Sequence, residues 1–97
     1  MLNIRKATPH DIPLILEFIR ELAEYERMLD QAVATPDDLL RDGFSGEPKF
    51  FVEIAEWNGE QAGFALWFYN YSTFQGKPGI YLEDLYVRPQ FRKKGIG

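Results

Sequence analysis

Apolar residues recur at Ile12, Ile15, Phe18, Ile19, Leu22, Tyr25 and Leu29, a spacing of three and four that gathers them on one helical face. Thr8, Pro9 and Asp11 stand before this run as N-cap, first helical residue and third-position acid. Together they predict a helix from about Pro9 to about Arg27. The same signal returns at Thr35, Pro36 and Asp38 ahead of Leu39, Leu40 and Phe44. It predicts a second, shorter helix that stops near Gly43. Before both, "LNIRKA" reads as a short strand.

After "SGEP" the period changes from helical to two. "KFFVEIAEW" and "QAGFALWFYNY" are strands, and Asn58-Gly59 between them is a strong hairpin signal. Gly63 inside the second of these predicts a bulge or a close backbone approach. A loop, "STFQGKPG", leads to a further strand, "IYLEDLYV", which Pro89 ends. The order is β-α-α-β-β-β followed by a glycine-rich loop. This is an α+β pattern, with helices packed on a mixed, mostly antiparallel sheet.

Composition narrows the chemistry. Ninety-seven residues make one domain, and 45% hydrophobic content with fifteen aromatics implies a packed globule. No run of eighteen apolar residues exists, so no membrane partner is expected. The start, "MLNIRKATPHD", lacks an apolar signal-peptide segment, so the cytoplasm is the expected location. There is no cysteine and a single histidine, His10. That excludes a thiolate metal site, a Cys/His zinc site and a cysteine acyl-enzyme within this chain, and no metal is expected. Residues 1–87 carry fifteen acids against seven Lys/Arg, whereas Arg88, Arg92, Lys93 and Lys94 give the last ten residues a charge of +4. An acidic body argues against nucleic acid and favours a small cationic partner, while the basic tip invites an anion.

Two adjacent carboxylates, Glu83 and Asp84, lie inside the last strand. Regular alternation would put Glu83 with Tyr81, Leu85 and Val87, and Asp84 with Ile80, Leu82 and Tyr86, on opposite faces. A paired-carboxylate mechanism is therefore not expected, and each acid must find its own use. The loop that follows, "RKKGIG", is neither a Walker loop nor a dinucleotide fingerprint. Its glycines still allow backbone N–H groups to approach an anion, and with three cations beside them a diphosphate is the natural ligand.

"YLEDLYVRPQFRKKGIG" resembles the fourth strand and pyrophosphate loop of the GNAT superfamily of N-acetyltransferases, with Arg92, Gly95 and Gly97 in its Arg/Gln-x-x-Gly-x-Gly/Ala pattern. "RKATPHDIPLILEFIRELAEYE", "LLRDGF" and "GFALWFYNYSTFQGKPGIYLEDLYV" are similar to the spermidine/spermine (diamine) and thialysine N-acetyltransferase branch. The resemblance implies acetyl-CoA as cosubstrate and direct acetyl transfer to a primary amine of a polyamine, diamine or lysine-like molecule. It implies that Leu85, Tyr86 and Val87 pair with the pantetheine arm and that Arg92, Lys93, Lys94, Gly95, Ile96 and Gly97 hold the pyrophosphate. Glu83 takes the catalytic, amine-binding role, joined at the substrate by Tyr25, Glu26 and Asp84, and a homodimer is expected. Trp67 and Phe74 are candidates for contact with substrate methylenes. The resemblance further implies that residues 1–97 are the N-terminal part of one GNAT domain. On that view the C-terminal half, with its general-acid tyrosine, is absent, and the fragment alone would be inactive. The competing readings are a non-catalytic CoA-binding or dimerisation module and, more remotely, a nucleotide-binding fragment.

Overall fold

The computed structural model describes residues 1–96, and Gly97 lies outside them. Strand β1 (Leu2–Lys6) leads through a 3-10 turn (Pro9–Asp11) into α1 (Ile12–Tyr25). A second 3-10 turn (Leu29–Gln31) precedes α2 (Pro36–Gly43), and then come β2 (Phe51–Trp57), β3 (Glu60–Ser72) and β4 (Lys77–Val87). A last 3-10 turn spans Pro89–Phe91. At the start of α2 the expected capping box forms in both directions: Asp38 N–H donates to Thr35 Oγ1 at 3.2 Å and Thr35 N–H to Asp38 Oδ2 at 2.9 Å. At the first helix the Asp11 carboxylate accepts from Thr8 N–H at 2.8 Å and from both terminal nitrogens of Arg5 at 2.8 and 2.9 Å. The Arg5 guanidinium holds the Asp11 carboxyl down at about 2.

The sheet runs β1-β2-β3-β4, every neighbour antiparallel. Asn58 and Gly59 take positive φ values of 52° and 85° and close the β2–β3 hairpin. Strand β4 begins at Lys77, earlier than the pattern predicts, so the expected eight-residue loop shrinks to residues 73–76. Ser72 pairs with Lys77 and Tyr71 with Pro78. Proline is tolerated there because β4 pairs with β3 alone among the described residues and is an edge strand.

Ile12, Ile15 and Phe18 of α1, with Leu39 of α2, pack on Val52, Ile54, Phe64, Leu66 and Tyr86 of the sheet. The Phe18 and Phe64 rings stack at 5.3 Å. Gly63 allows β3 and β4 to approach closely, since a Cβ there would overlap the Tyr86 carbonyl oxygen. The bulge expected near it is present as well, because Ala55 pairs with Gly63 and Glu56 with Gln61, leaving Ala62 as the extra residue. On the far face of the sheet Trp67 stacks on Phe51 at 4.7 Å and meets Tyr69 edge-on.

A second bulge overturns one expectation. Leu66 pairs with Asp84 but Trp67 pairs with Leu82, so Glu83 is inserted without a partner. Alternation is broken at that residue. Leu82 and Ile80 swing to the face of Trp67 and Tyr69, and Tyr81 comes opposite Phe68. Glu83 and Asp84 consequently do not diverge to opposite faces; both line one cavity.

Candidate functional site

The helix α1 ends in a tight reversal: Met28 N–H donates to Ala23 O at 2.7 Å, and Arg27 takes a φ of 59°. This turn brings Glu26 over the β4 bulge. Between them lies a cavity of about 250 Å³, with Ile19, Leu22 and Ala23 as an apolar wall and Glu26, Glu83 and Asp84 as its acids. Burial pushes the half-buried Asp84 carboxyl above its ordinary value, and the charges of Glu83 and Glu26 push it further. Such a site gains from a cation. Among the described residues no group of three His, Asp or Glu side chains is disposed to hold a metal ion. A compact hydrogen-bond donor such as an ammonium makes no demand for that coordination geometry.

Tyr25 does not line this cavity. Its exposed ring lies under Arg92, whose guanidinium carbon is 4.9 Å from the ring centroid and 5.8 Å from that of Tyr86. Nε of Arg92 donates to Val87 O at 2.9 Å. Phe74, fully exposed in the β3–β4 turn, and Trp67, whose Nε1 donates to Glu53 at 2.6 Å on the helix-free face, both lie away from the acids.

The other half of the site is the free edge of β4. Arg88 N–H donates to Ala62 O at 2.7 Å, so by alternation the backbone groups of Tyr86 also face β3 while those of Leu85 and Val87 face outward. The Tyr86 side chain is buried and donates to Glu21 at 3.3 Å; burial, reinforced by that carboxylate, raises its phenol above the ordinary range. Beside Val87 the loop turns through left-handed backbone at Lys93 (φ 68°) and Gly95 (φ 76°). There it forms a concavity with Phe91, Arg92 and Ile96. Lys94 Nζ sits 5.3 Å over the Trp57 ring. Outward strand groups are able to pair with amides, and left-handed loop backbone is able to turn N–H groups toward an anion. The expected contribution of Gly97 falls outside the described residues.

Arg88 corrects the picture of a free basic tip. Its guanidinium binds Glu21 at 2.9 Å, Glu17 at 2.8 Å and the Gln61 carbonyl at 3.0 Å, and it packs over Phe18. It is a tie between α1 and the sheet rather than a phosphate ligand. Glu17 and Glu21, four apart on one helix face, were the available signal for such a partner.

Residues 15–97 match the Acetyltransferase (GNAT) family. The chain is 44% identical to thialysine N-epsilon-acetyltransferase of Bos taurus over 97% of its own length and 59% of that protein. It is 45% identical to spermidine/spermine N(1)-acetyltransferase-like protein 1 of Homo sapiens, over 98% of its own length and 14% of that protein. The fold matches the crystal structure of the aminoglycoside acetyltransferase meta-AAC0020, from an uncultured soil metagenomic sample, with a TM-score of 0.77 and 22% identity. That match covers 99% of this chain and 62% of the other. The chain thus spans less than two thirds of the length of each of these proteins. With its antiparallel sheet, bulged β4 and basic glycine loop, the chain belongs to the GNAT acetyltransferase family.

Proposed function

We propose that this chain carries the acceptor cavity and cosubstrate edge of an acetyl-CoA-dependent N-acetyltransferase acting on a primary amine of a polyamine, diamine or lysine-like molecule. The observation that carries the reading is the convergence of Glu26, Glu83 and Asp84 on one cavity beside an open strand edge. The names of the relatives, a thialysine N-epsilon-acetyltransferase and a spermidine/spermine N(1)-acetyltransferase-like protein, support the same substrate class. Leu85 and Val87 would hold the pantetheine arm by backbone pairing, and the loop from Arg92 to Gly97 the pyrophosphate; bound there, acetyl-CoA supplies an activated thioester carbonyl.

The acids answer the chemistry of the acceptor. An alkyl ammonium with a pKa near 10.4 is neutral in about one molecule in 2,500 at pH 7, a handicap of roughly 4.6 kcal/mol. Glu26 and Asp84 attract the cation and orient it. Glu83 accepts its proton, directly or through one water, as the nitrogen lone pair is freed.

The test is thiol release from acetyl-CoA by the full-length protein, offered spermidine, a diamine or thialysine. Glu83→Gln should lower turnover by about 10²-fold while CoA affinity changes little. Turnover unaffected by this substitution between about pH 6 and 9 would remove Glu83 from the reaction. CoA binding without thiol release from any of these amines would favour a non-catalytic binding module.

A further inference from the structure

One contact joins the two halves of the site. Val87 O is an outward-facing carbonyl on the β4 edge, the kind of group that an added strand must pair with, and the Nε of Arg92 already engages it. The same guanidinium sits over the ring of Tyr25, its carbon 4.9 Å from the centroid, and Tyr25 is the residue next to Glu26 of the acidic cavity. Arg92 also lines the loop concavity, together with Lys93 and Gly95.

We propose that Arg92 and Tyr25 form a latch in which Arg92 competes with an incoming amide for Val87 O and, once displaced, turns to the diphosphate. This rests on the reading of β4 and its loop as the acetyl-CoA edge. An amide N–H approaching Val87 O from the open edge meets the Arg92 guanidinium already bonded there and competes with it for that side of the oxygen. The freed guanidinium has the adjoining concavity to enter, where a diphosphate offers it charge-assisted, bidentate acceptors. Leaving Val87 means leaving Tyr25, so the aromatic platform at the end of α1 is uncovered as the edge becomes occupied. Arg92 and Tyr25 are positioning residues in this account. Arg92 opposes binding of the amide-bearing arm alone and favours binding of the arm joined to its diphosphate.

That pair of opposite signs is the test. Pantetheine, which lacks the diphosphate, and CoA are titrated calorimetrically into the full-length protein, its Arg92→Met variant, Tyr25→Phe and Tyr25→Leu. The expected result is that Arg92→Met binds pantetheine about three- to tenfold more tightly than the parent and CoA about tenfold more weakly. Tyr25→Phe keeps the ring and should match the parent, whereas Tyr25→Leu should tighten pantetheine binding in the direction of Arg92→Met. Unchanged pantetheine affinity with weakened CoA would reduce Arg92 to a phosphate ligand and overturn the latch. Weakening of both in a variant that melts like the parent would overturn it too. A parent that binds neither ligand would instead remove the acetyl-CoA reading on which the latch rests.

Discussion

Three carboxylates around one cavity repel one another unless a cation sits among them, and Asp84 is the one the fold half-buries. Its pKa is raised above the ordinary 3.8 by burial first and by Glu83 and Glu26 next. A carboxyl raised by folding disfavours the folded state as it ionises, so this contribution worsens as pH climbs from the ordinary aspartate range through the raised value. Asp84→Asn should therefore melt at a higher temperature than the parent at pH 7, with the difference vanishing well below the ordinary aspartate pKa. Calorimetric melting across that range checks the sign; an equal or lower melting temperature at neutral pH would show that Asp84 carries no such strain. Asp11 behaves in the opposite sense. Held at about 2 by Arg5, it supports the fold above the ordinary value and loses that support as pH falls through its own.

At the scale of elements, β4 is where local pattern and pairing disagree. The run "IYLEDLYV" predicts a strand correctly, yet its two ends and its facing depend on what β3 offers. Strand β3 continues to Ser72, so β4 extends back to Lys77 to pair with it. Inserting Glu83 then reverses the facing of every residue before it. Close approach at Gly63 sets the opposite boundary of the same pairing, because the Tyr86 carbonyl occupies the space where a side chain would begin. Gly63→Ala should cost about 1–3 kcal/mol, read as a lower urea midpoint with an unchanged slope. A variant as stable as the parent would mean that β3 and β4 separate freely there, and the claim of a tight approach would fall.

The whole molecule is longer than a sphere of its size, measuring 41 × 28 × 27 Å with a radius of gyration of 14.3 Å, against about 12.5 Å for a compact chain of this length. The excess has a visible source, since beyond the Trp67–Phe51 pair β3 and β4 pair, among the described residues, only with each other. Besides the apolar core and the Tyr86–Glu21 hydrogen bond, Arg88 fixes α1 to this elongated sheet. Its side chain is 18% exposed and it bridges Glu17 and Glu21 of α1 to the Gln61 carbonyl of β3. Removing it leaves Glu21, itself 29% exposed, without its main cation. Arg88→Leu should cost about 2 kcal/mol in denaturant unfolding. Arg88→Lys should recover only part of this, because an ammonium cannot span three acceptors as the guanidinium fork does. Full recovery by lysine would show that charge alone, without the fork, holds the helix.

Both helices, the cap of α2, the order of strands, the Asn58-Gly59 hairpin and the crowding at Gly63 follow from local rules of spacing, capping and backbone freedom, although the first turn expected of α1, Pro9–Asp11, is a 3-10 turn and the helix proper runs Ile12–Tyr25. Those rules act over a few residues and leave a direct mark in the chain. The resemblance of "YLEDLYVRPQFRKKGIG" to a GNAT strand and loop was equally local, and the family match bears it out. Other features depended on residues far apart in sequence. The bulge at Glu83 is a mismatch between two strands, so no single strand encodes it, and it alone brings Glu83 and Asp84 to one cavity. Arg88 looked like part of a basic tip until folding set it beside Glu17 and Glu21, some seventy residues earlier. Arg92 and Tyr25 meet for the same reason. Pairing register and long-range charge partners are settled by packing, and only the tertiary structure decides them.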